Sequence, residues 1–231
     1  MLGPWERTTS EQLPMQASCG AGLPVLNTLK GLIEAGDQVI TIEGILSGTL
    51  SYIFNTWKAG EPFSSVVLKA KELGFTEPDP REDLSGTDVA RKVVILGREC
   101  GSKPVLEDLQ VDSLVPHELQ DVSIPEYLEK LLEHDAAMAA KLEEAQAAGN
   151  VLRYVGKYDA QNDKCSITLG TYPADHPFAA LSGTDNIVQI QTERYKDLPL
   201  IVRGPGAGPE VTAAGCFADL LQLARYLGAR S

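Results

Sequence analysis

Residues 151–172, VLRYVGKYDAQNDKCSITLGTY, decide the fold class, because here helical spacing gives way to runs of β-branched and aromatic residues. Such runs, separated by turn residues, predict β-strands. Two more runs of this kind follow. The four predicted strands cover residues 151–158, 166–172, 187–192 and 198–202.

Upstream, apolar residues recur at helical spacing and predict a layer of helices. The predicted helices cover residues 24–35, 47–57, 63–73 and 87–99, followed by an acid-rich, solvated helical hairpin at 124–148 and a last helix at 211–227. Residues 38–46 alternate and are β-branched, so they predict a further strand. Helices packed on a largely antiparallel mixed sheet make an α+β domain.

Three segments follow from this pattern. Residues 1–15 are polar, contain two prolines and lack periodicity, so we expect a ragged, poorly ordered beginning. Residues 16–209 form the domain, and residues 210–231 hold the last helix. We find no internal repeat and no low-complexity tract.

Charge and composition restrict the class of partner. Hydrophobic residues make up 43% and charged residues 23% of the 231 residues, which is ordinary for a soluble globular protein. Lys+Arg is 20 and Asp+Glu is 32, so the formal net charge is 20 − 32 = −12. Nucleic acids and anionic membranes need a basic face, so we expect neither as a partner. No apolar run reaches the roughly 18 residues that span a bilayer, and the first residues lack a signal-peptide pattern. These features predict a soluble intracellular protein.

The cysteines do not suggest a metal site. Cys19, Cys100, Cys165 and Cys216 are far apart and form no CxxC pair, and the three histidines are scattered. Zinc sites need closely spaced ligands, so none is expected. Two disulfides are conceivable on numbers alone, but reduced core thiols fit an intracellular protein better.

The strongest chemical signal lies at residues 77–92. Two prolines two residues apart exclude regular structure from residues 76–86, so we expect a stiff loop that carries several acids. Gly86 then permits a sharp entry into a helix. On that helix Asp88 and Lys92 are four residues apart, which puts both on one face.

Two interpretations of this pattern stay open at the level of spacing. A lysine flanked by carboxylates and apolar walls can donate a proton, and carboxylates can bind a substrate ammonium group. Alternatively, Asp88 and Lys92 form a surface ion pair worth about 0.3–0.5 kcal/mol, and the acidic loop is simply solvated. Spacing alone favours the second interpretation.

The segment TEPDPREDLSGTDVARKVVILGRECG, residues 76–101, resembles the homoserine dehydrogenase signature. The likeness extends from about residue 17 to the end of the chain. The matching segments are most similar to those of plant-type bifunctional aspartokinase–homoserine dehydrogenases. The other matching segments are GAGLPVLNTLKGLIEAGD, IEGILSGTLSYIFN, VLRYVG, DHPFAALSGTDN, LPLIVRGPGAG and VTAAG.

The resemblance implies reversible, NAD(P)-dependent reduction of aspartate 4-semialdehyde to L-homoserine, on the route to threonine, methionine and isoleucine. Lys92 matches the proton-donor lysine of the family. The positions that match substrate-binding or pocket-lining residues are Glu77, Asp83, Asp88, Gly48 and Thr49.

Two glycine-containing loops are candidate ligand-binding sites. Residues 204–208, GPGAG, lie between a strand and a helix but lack the spacing of a dinucleotide fingerprint, so a tight turn is the plain alternative. The resemblance implies that this loop approaches the nicotinamide end of NADP(H) or NAD(H), with contacts at Gly206 and Gly208. It also implies a sodium site formed by backbone carbonyls of three residues of the first loop, Cys19, Ala21 and Leu23. Gln16 stands where the family has a glutamate, so one charge is lost there.

Members of the family begin with a Rossmann domain, which supplies a GxGxxG loop and a second active-site lysine, and residues 1–15 do not supply these. We therefore expect the chain to need a separate cofactor domain for turnover. An inactive, dimerising remnant or truncated gene product is the alternative. The last helix would pack on that domain through Val211, Phe217, Leu220, Leu221 and Leu223. The resemblance further implies a homodimer formed through the sheet of residues 151–202, and a plastid location if the source is a plant or alga, otherwise a cytoplasmic one.

Overall fold

The computed structural model describes residues 16–228 and has a six-stranded sheet with helices packed mainly on one face. The strands are β1 (Val39–Ile45), β2 (Gln110–Val111), β3 (Asn150–Asp159), β4 (Lys164–Pro173), β5 (Asp185–Thr192) and β6 (Leu200–Pro205). The helices are α1 (Val25–Glu34), α2 (Gly48–Thr56), α3 (Phe63–Glu72), α4 (Pro80–Leu84), α5 (Thr87–Glu99), α6 (Ile124–Lys130), α7 (Asp135–Ala147) and α8 (Pro209–Tyr226). The expected disorder of residues 1–15 lies outside the described residues.

The sheet order is β2-β4-β3-β1-β5-β6, and every neighbouring pair is antiparallel except β2 with β4. The prediction of an α+β fold with a largely antiparallel mixed sheet is therefore confirmed. The two-residue strand β2 escaped prediction because Gln110 and Val111 are too short a run to show periodicity. Among the strands of the predicted dimer region, β6 lies at an edge of the sheet, and β2 protects part of the other edge, beside β4.

The main core lies between the sheet and the helices. Ile42, Tyr154 and Val188 from three strands pack with Leu50 of α2 and Val93 of α5, and all five are buried. The alternation of side chains along each strand explains this, because every second residue points to the helical face.

The opposite face of the sheet is covered at one end by residues 174–184. Phe178 and Leu181 pack there against Ile45, Val155 and Ile187. The buried guanidinium of Arg153 ties this segment down, donating to the carbonyl oxygens of Phe178 (2.9 Å), Ala179 (3.1 Å), Phe54 (2.9 Å) and Leu152 (2.7 Å). Burial lowers the pKa of Arg153.

Two expectations about local structure were wrong. Residues 76–86 are not free of regular structure, because α4 occupies Pro80–Leu84. Proline is tolerated in the first turn of a helix, where its missing N–H has no partner to lose, and Asp79 caps that turn through Arg81 N. The segment 124–148 is not wholly solvated either, because Tyr127, Leu131 and Leu142 are buried in the main core.

The cysteines are all free, and three of the four are buried or half-buried. Burial raises the pKa of Cys19 to about 12, that of Cys100 to about 12 and that of Cys165 to about 11. Cys216 is exposed on α8, so the expectation of core thiols fails for it. Within residues 16–228, no helix combines the length and apolar character needed to cross a membrane.

Candidate active site

The lysine at the centre of the site is fixed by two acceptors. Lys92 Nζ lies 2.7 Å from Asp88 Oδ2, one helical turn earlier, and 2.7 Å from the carbonyl oxygen of Leu46, at the end of β1. The side chain of Lys92 is 17% exposed, whereas that of Asp88 is 56% exposed. The pair is therefore not a surface ion pair of the ordinary kind, because the ammonium group is drawn inward by a backbone carbonyl.

The acidic loop is organised around Asp83. Its Oδ1 accepts from Thr49 Oγ1 at 2.7 Å, and its Oδ2 accepts from the backbone N–H of Glu77 at 2.8 Å. Thr49 Oγ1 also lies 2.5 Å from the carbonyl oxygen of Phe75. Asp83 thus joins α4 to the start of α2 and holds the backbone on both sides of Thr76.

Arg81 fixes the same loop through a second set of hydrogen bonds. Arg81 donates to both carboxylate oxygens of Asp79 and, through Nη1, to the carbonyl oxygens of Leu119, Gln120 and Val122. The hydrogen bond from Arg81 is the main reason that the pKa of Asp79 is lowered. The guanidinium also lies over the ring of Tyr127, 5.3 Å from its centroid.

These elements enclose one pocket of about 760 Å³. Every residue predicted to act in catalysis, substrate binding or cofactor binding lines it, namely Lys92, Glu77, Asp83, Asp88, Gly48, Thr49, Gly206 and Gly208. The structure therefore brings together residues that are up to 160 positions apart, since 208 − 48 = 160. The lining residues to which the sequence analysis assigned no role include Ser47, Phe75, Thr76, Glu82, Arg91 and Thr184.

The loop of residues 206–208 borders the pocket with bare backbone. A Cβ on Gly206 would lie 2.0 Å from Cγ of the buried Asn186, so no side chain fits there. Gly208 has φ +127°, a conformation that other residues rarely adopt. Packing against Asn186 and the backbone conformation therefore favour glycine at these two positions, and the main chain of residues 206–208 lines the pocket.

The predicted cation loop has unusual backbone geometry. Gly20 and Ala21 have φ values of +81° and +53°. The carbonyl oxygen of Leu23 accepts from Val25 N at 2.8 Å, and Cys19 Sγ lies 3.7 Å from the carbonyl oxygen of Lys92. Among the residues that the structure describes, no three histidine, cysteine or acidic side chains cluster as metal ligands. The sodium site, which would use carbonyl oxygens, stays a prediction.

Comparison with known proteins places the chain in a family. The model of the homoserine dehydrogenase family matches residues 24–221. The chain is 58% identical over 217 residues to bifunctional aspartokinase/homoserine dehydrogenase 1, chloroplastic, of Arabidopsis thaliana, covering 94% of this chain and 24% of that protein. It is 48% identical over 215 residues to homoserine dehydrogenase of Schizosaccharomyces pombe, covering 90% of this chain and 57% of that protein.

Among solved structures, a Candida auris protein of unknown function superposes with a TM-score of 0.88 at 49% identity, covering 91% of this chain and 60% of that one. Fold and pocket together define an α+β domain that carries a lysine–carboxylate site. The chain belongs to the homoserine dehydrogenase family, as the resemblance of residues 76–101 had implied. It spans about a quarter of the length of the plant relative and less than two thirds of the fungal ones.

Proposed function

We propose that this chain forms the substrate half of an NAD(P)-dependent homoserine dehydrogenase, which interconverts aspartate 4-semialdehyde and L-homoserine. The observation that carries the proposal is the position of Lys92 Nζ, 2.7 Å from Asp88 and 2.7 Å from the Leu46 carbonyl, in the wall of a pocket that carboxylates line. Reduction of an aldehyde needs a proton donor at the oxygen, and a fixed ammonium group meets that need.

The proton step can be assigned to one atom. As the aldehyde carbon is reduced, negative charge develops on its oxygen, and Lys92 transfers a proton from Nζ to that oxygen. In the reverse direction the neutral amine accepts the hydroxyl proton of L-homoserine. Asp88 and the Leu46 carbonyl act by holding Nζ in one place, which lowers the cost of orienting the donor.

The carboxylates provide recognition of the amino end of the substrate. Glu77 is exposed at the pocket, its backbone N–H is held by Asp83, and its side chain is proposed to receive the α-ammonium group together with Asp88. Asp83 uses both oxygens within the protein, so we assign it to positioning Glu77 and Thr49. Gly48 and Thr49 form the pocket wall at the start of α2.

The backbone at Gly206 and Gly208 is proposed to receive the nicotinamide end of NADP(H) or NAD(H), because both glycines line the same pocket as Lys92. The bound cofactor supplies the hydride and takes it back in the reverse reaction. The exposed apolar face of α8, with Phe217 60% and Leu220 61% exposed, is proposed to pack on the cofactor domain. Of the predicted face, Val211 and Leu223 are already half-buried within this chain.

The test combines binding and turnover. Calorimetry should detect binding of L-homoserine to the 231-residue chain. The affinity should be lower in the Glu77→Gln and Asp88→Asn variants. Turnover is then measured with NADPH and aspartate 4-semialdehyde, on the chain alone and on the chain joined to a dinucleotide-binding domain. Lys92→Ala should abolish turnover. Lys130→Ala is the matched control, because it removes an i,i+4 pair of the same 2.7 Å length, Lys130–Glu126, on distant α6.

Two outcomes would contradict the proposal. One is a chain that folds but fails to bind L-homoserine. The other is full turnover by the Lys92→Ala variant. An L-homoserine-binding chain without turnover in either form would instead support the alternative of an inactive remnant.

We carry three finer points as proposals. We propose that the carbonyl oxygens of Cys19, Ala21 and Leu23 bind a sodium ion. The chain should then have a higher melting temperature in sodium chloride than in choline chloride.

A homodimer formed through the sheet would use the open edge of β6, where Ile201 is 46% exposed, so Ile201→Lys should give a monomer in light scattering. The location stays a prediction, plastid for a plant or algal source and cytoplasm otherwise.

A further inference from the structure

Asn186 is a buried amide that shares an acceptor with the proposed catalytic lysine. It ends the matching segment DHPFAALSGTDN, but the sequence analysis assigned it no role. It is fully buried near the start of β5, where its backbone pairs with Gly204 of β6. Its Nδ2 donates to the carbonyl oxygen of Leu46 at 3.2 Å. That carbonyl is the one that accepts from Lys92 Nζ at 2.7 Å.

The orientation of the amide is fixed by chemistry. The Leu46 carbonyl can only accept, so the amide atom that faces it must be the NH₂ group. The other amide atom, Oδ1, is buried and has no partner among the described residues. An unpaired buried acceptor costs free energy, and the fold retains it at a position that touches both Leu46 and the cofactor-facing loop.

Gly206 lies directly on this amide. A Cβ at residue 206 would lie 2.0 Å from Cγ of Asn186, 2.1 Å from Nδ2 and 2.5 Å from Oδ1. Asn186 thus contacts the loop on one side and the acceptor of Lys92 on the other. A displacement of the loop would press on the amide and, through it, on the Leu46 carbonyl.

We propose that Asn186 is a positioning residue for Lys92, acting through the Leu46 carbonyl that both side chains share. Its hydrogen bond occupies one side of the carbonyl oxygen and orients it, so that the other side meets the ammonium group. The inference rests on the role proposed above for Lys92, whose Nζ is expected to contact the substrate hydroxyl.

The experiment compares two ligands that differ only at the group Lys92 would touch. L-homoserine carries the hydroxyl, and L-2-aminobutyrate lacks it. Asn186→Leu keeps the number of side-chain heavy atoms and the branch at Cγ but removes the donor and the unpaired Oδ1. We expect it to weaken L-homoserine binding about fivefold, the effect of one hydrogen bond of ordinary strength, and to leave L-2-aminobutyrate binding unchanged.

A double-mutant cycle gives the sharper readout. In the Lys92→Ala background, Asn186→Leu should cause no further loss, because its effect passes through the lysine. Gln191→Leu is the matched control on the same strand, since it removes an amide that donates to the Lys196 carbonyl at 2.9 Å, away from Leu46. Asn186→Val, whose β-branched side chain suits a strand and carries no hydrogen-bond donor, replaces Asn186→Leu if the latter does not fold.

A second measurement is independent of any ligand. Reductive methylation, followed by mass spectrometry, should label Lys92 faster in Asn186→Leu than in the unaltered chain, with Lys130 as the internal reference. Equal loss of both ligands, or unchanged labelling and binding, would overturn the positioning role. Failure of the unaltered chain to bind L-homoserine would overturn the proposed function, whereas the labelling result would still decide whether Asn186 orders Lys92.

Discussion

The hydroxyl group of Tyr154 occupies the space where a Cβ on Gly86 would lie, at 2.1 Å from its ideal position. Gly86 has φ +75° and forms the N-terminal boundary of α5, the helix that carries Asp88 and Lys92. Tyr154 lies on β3 and donates from its hydroxyl to the carbonyl oxygen of Asp112 at 2.8 Å. The start of α5 is thereby packed against the sheet by a contact that admits only glycine.

Replacement of Gly86 by alanine should therefore damage both stability and ligand binding. The left-handed backbone alone costs about 1 kcal/mol for an L-residue, and the collision with Tyr154 adds to it. We expect a lower melting temperature and weaker L-homoserine binding, since α5 must shift. The double variant Gly86→Ala/Tyr154→Phe should recover part of the loss. No recovery would show that the collision is not the cause.

Two variants of Asp83 can distinguish the effect of its negative charge from the effect of its two hydrogen bonds. Asp83→Asn can still accept from Glu77 N and donate to Thr49 Oγ1, which then donates to the Phe75 carbonyl. Asp83→Ala loses both bonds. We expect the asparagine variant to retain L-homoserine binding within a few-fold and the alanine variant to lose it, as measured by calorimetry. Equal loss in both variants would assign a direct electrostatic role to the carboxylate.

The pH dependence of stability should include a contribution from Asp79. Its pKa is lowered chiefly by the hydrogen bond from Arg81, so the folded state prefers the ionised carboxylate. This stability is present above the unfolded-state pKa of about 3.9 and is lost as pH falls through the lower folded-state value.

Asp79→Asn is the variant that isolates this effect, because asparagine can still cap α4. We expect it to be less stable at neutral pH and to lose less stability than the unaltered chain between neutral and acidic pH. Urea unfolding at several pH values measures the difference. Parallel stability curves for the two proteins would exclude the contribution of Asp79.

The buried Arg153 should be a large stabilising element of the opposite sheet face. Arg153→Met leaves the carbonyls of Phe178 and Ala179 without their donor, and we expect a loss of about 3 kcal/mol. Limited proteolysis should then cut within residues 174–184. Lys157→Met, on the same strand, removes a half-exposed ion pair with Glu43 and should cost less than about 1 kcal/mol. A similar cost for both variants would contradict the assignment.

The exposed face of α8 predicts binding of an apolar dye. Leu220 and Leu221 lie one helical turn after Phe217, and the three side chains are 61%, 43% and 60% exposed. Phe217→Ser/Leu220→Ser should lower the fluorescence of an anilinonaphthalene sulfonate dye without altering L-homoserine binding. Leu198→Ser is the control, because Leu198 is 83% exposed but lies in a loop. Unchanged fluorescence would place the dye site elsewhere.

The sequence by itself determined the local elements and the pairing of Asp88 with Lys92. Helical periodicity and the glycine at residue 86 predicted α5 with the bounds that the structure has, and the spacing of Asp88 and Lys92 put them on one helical face. Both are short-range effects, fixed by the geometry of a single helix. The resemblance of residues 76–101 then named the family.

Only the tertiary structure decided what surrounds that pair. Lys92 meets the Leu46 carbonyl across 46 residues, Asp83 meets Thr49 across 34, and Asn186 reaches Leu46 across 140. A backbone carbonyl has the same chemistry at every residue, so no side-chain pattern marks Leu46 as an acceptor. The pairing of β1 with β3 and β5 brings it to the lysine, and the choice between a solvated ion pair and an oriented proton donor depends on that long-range contact.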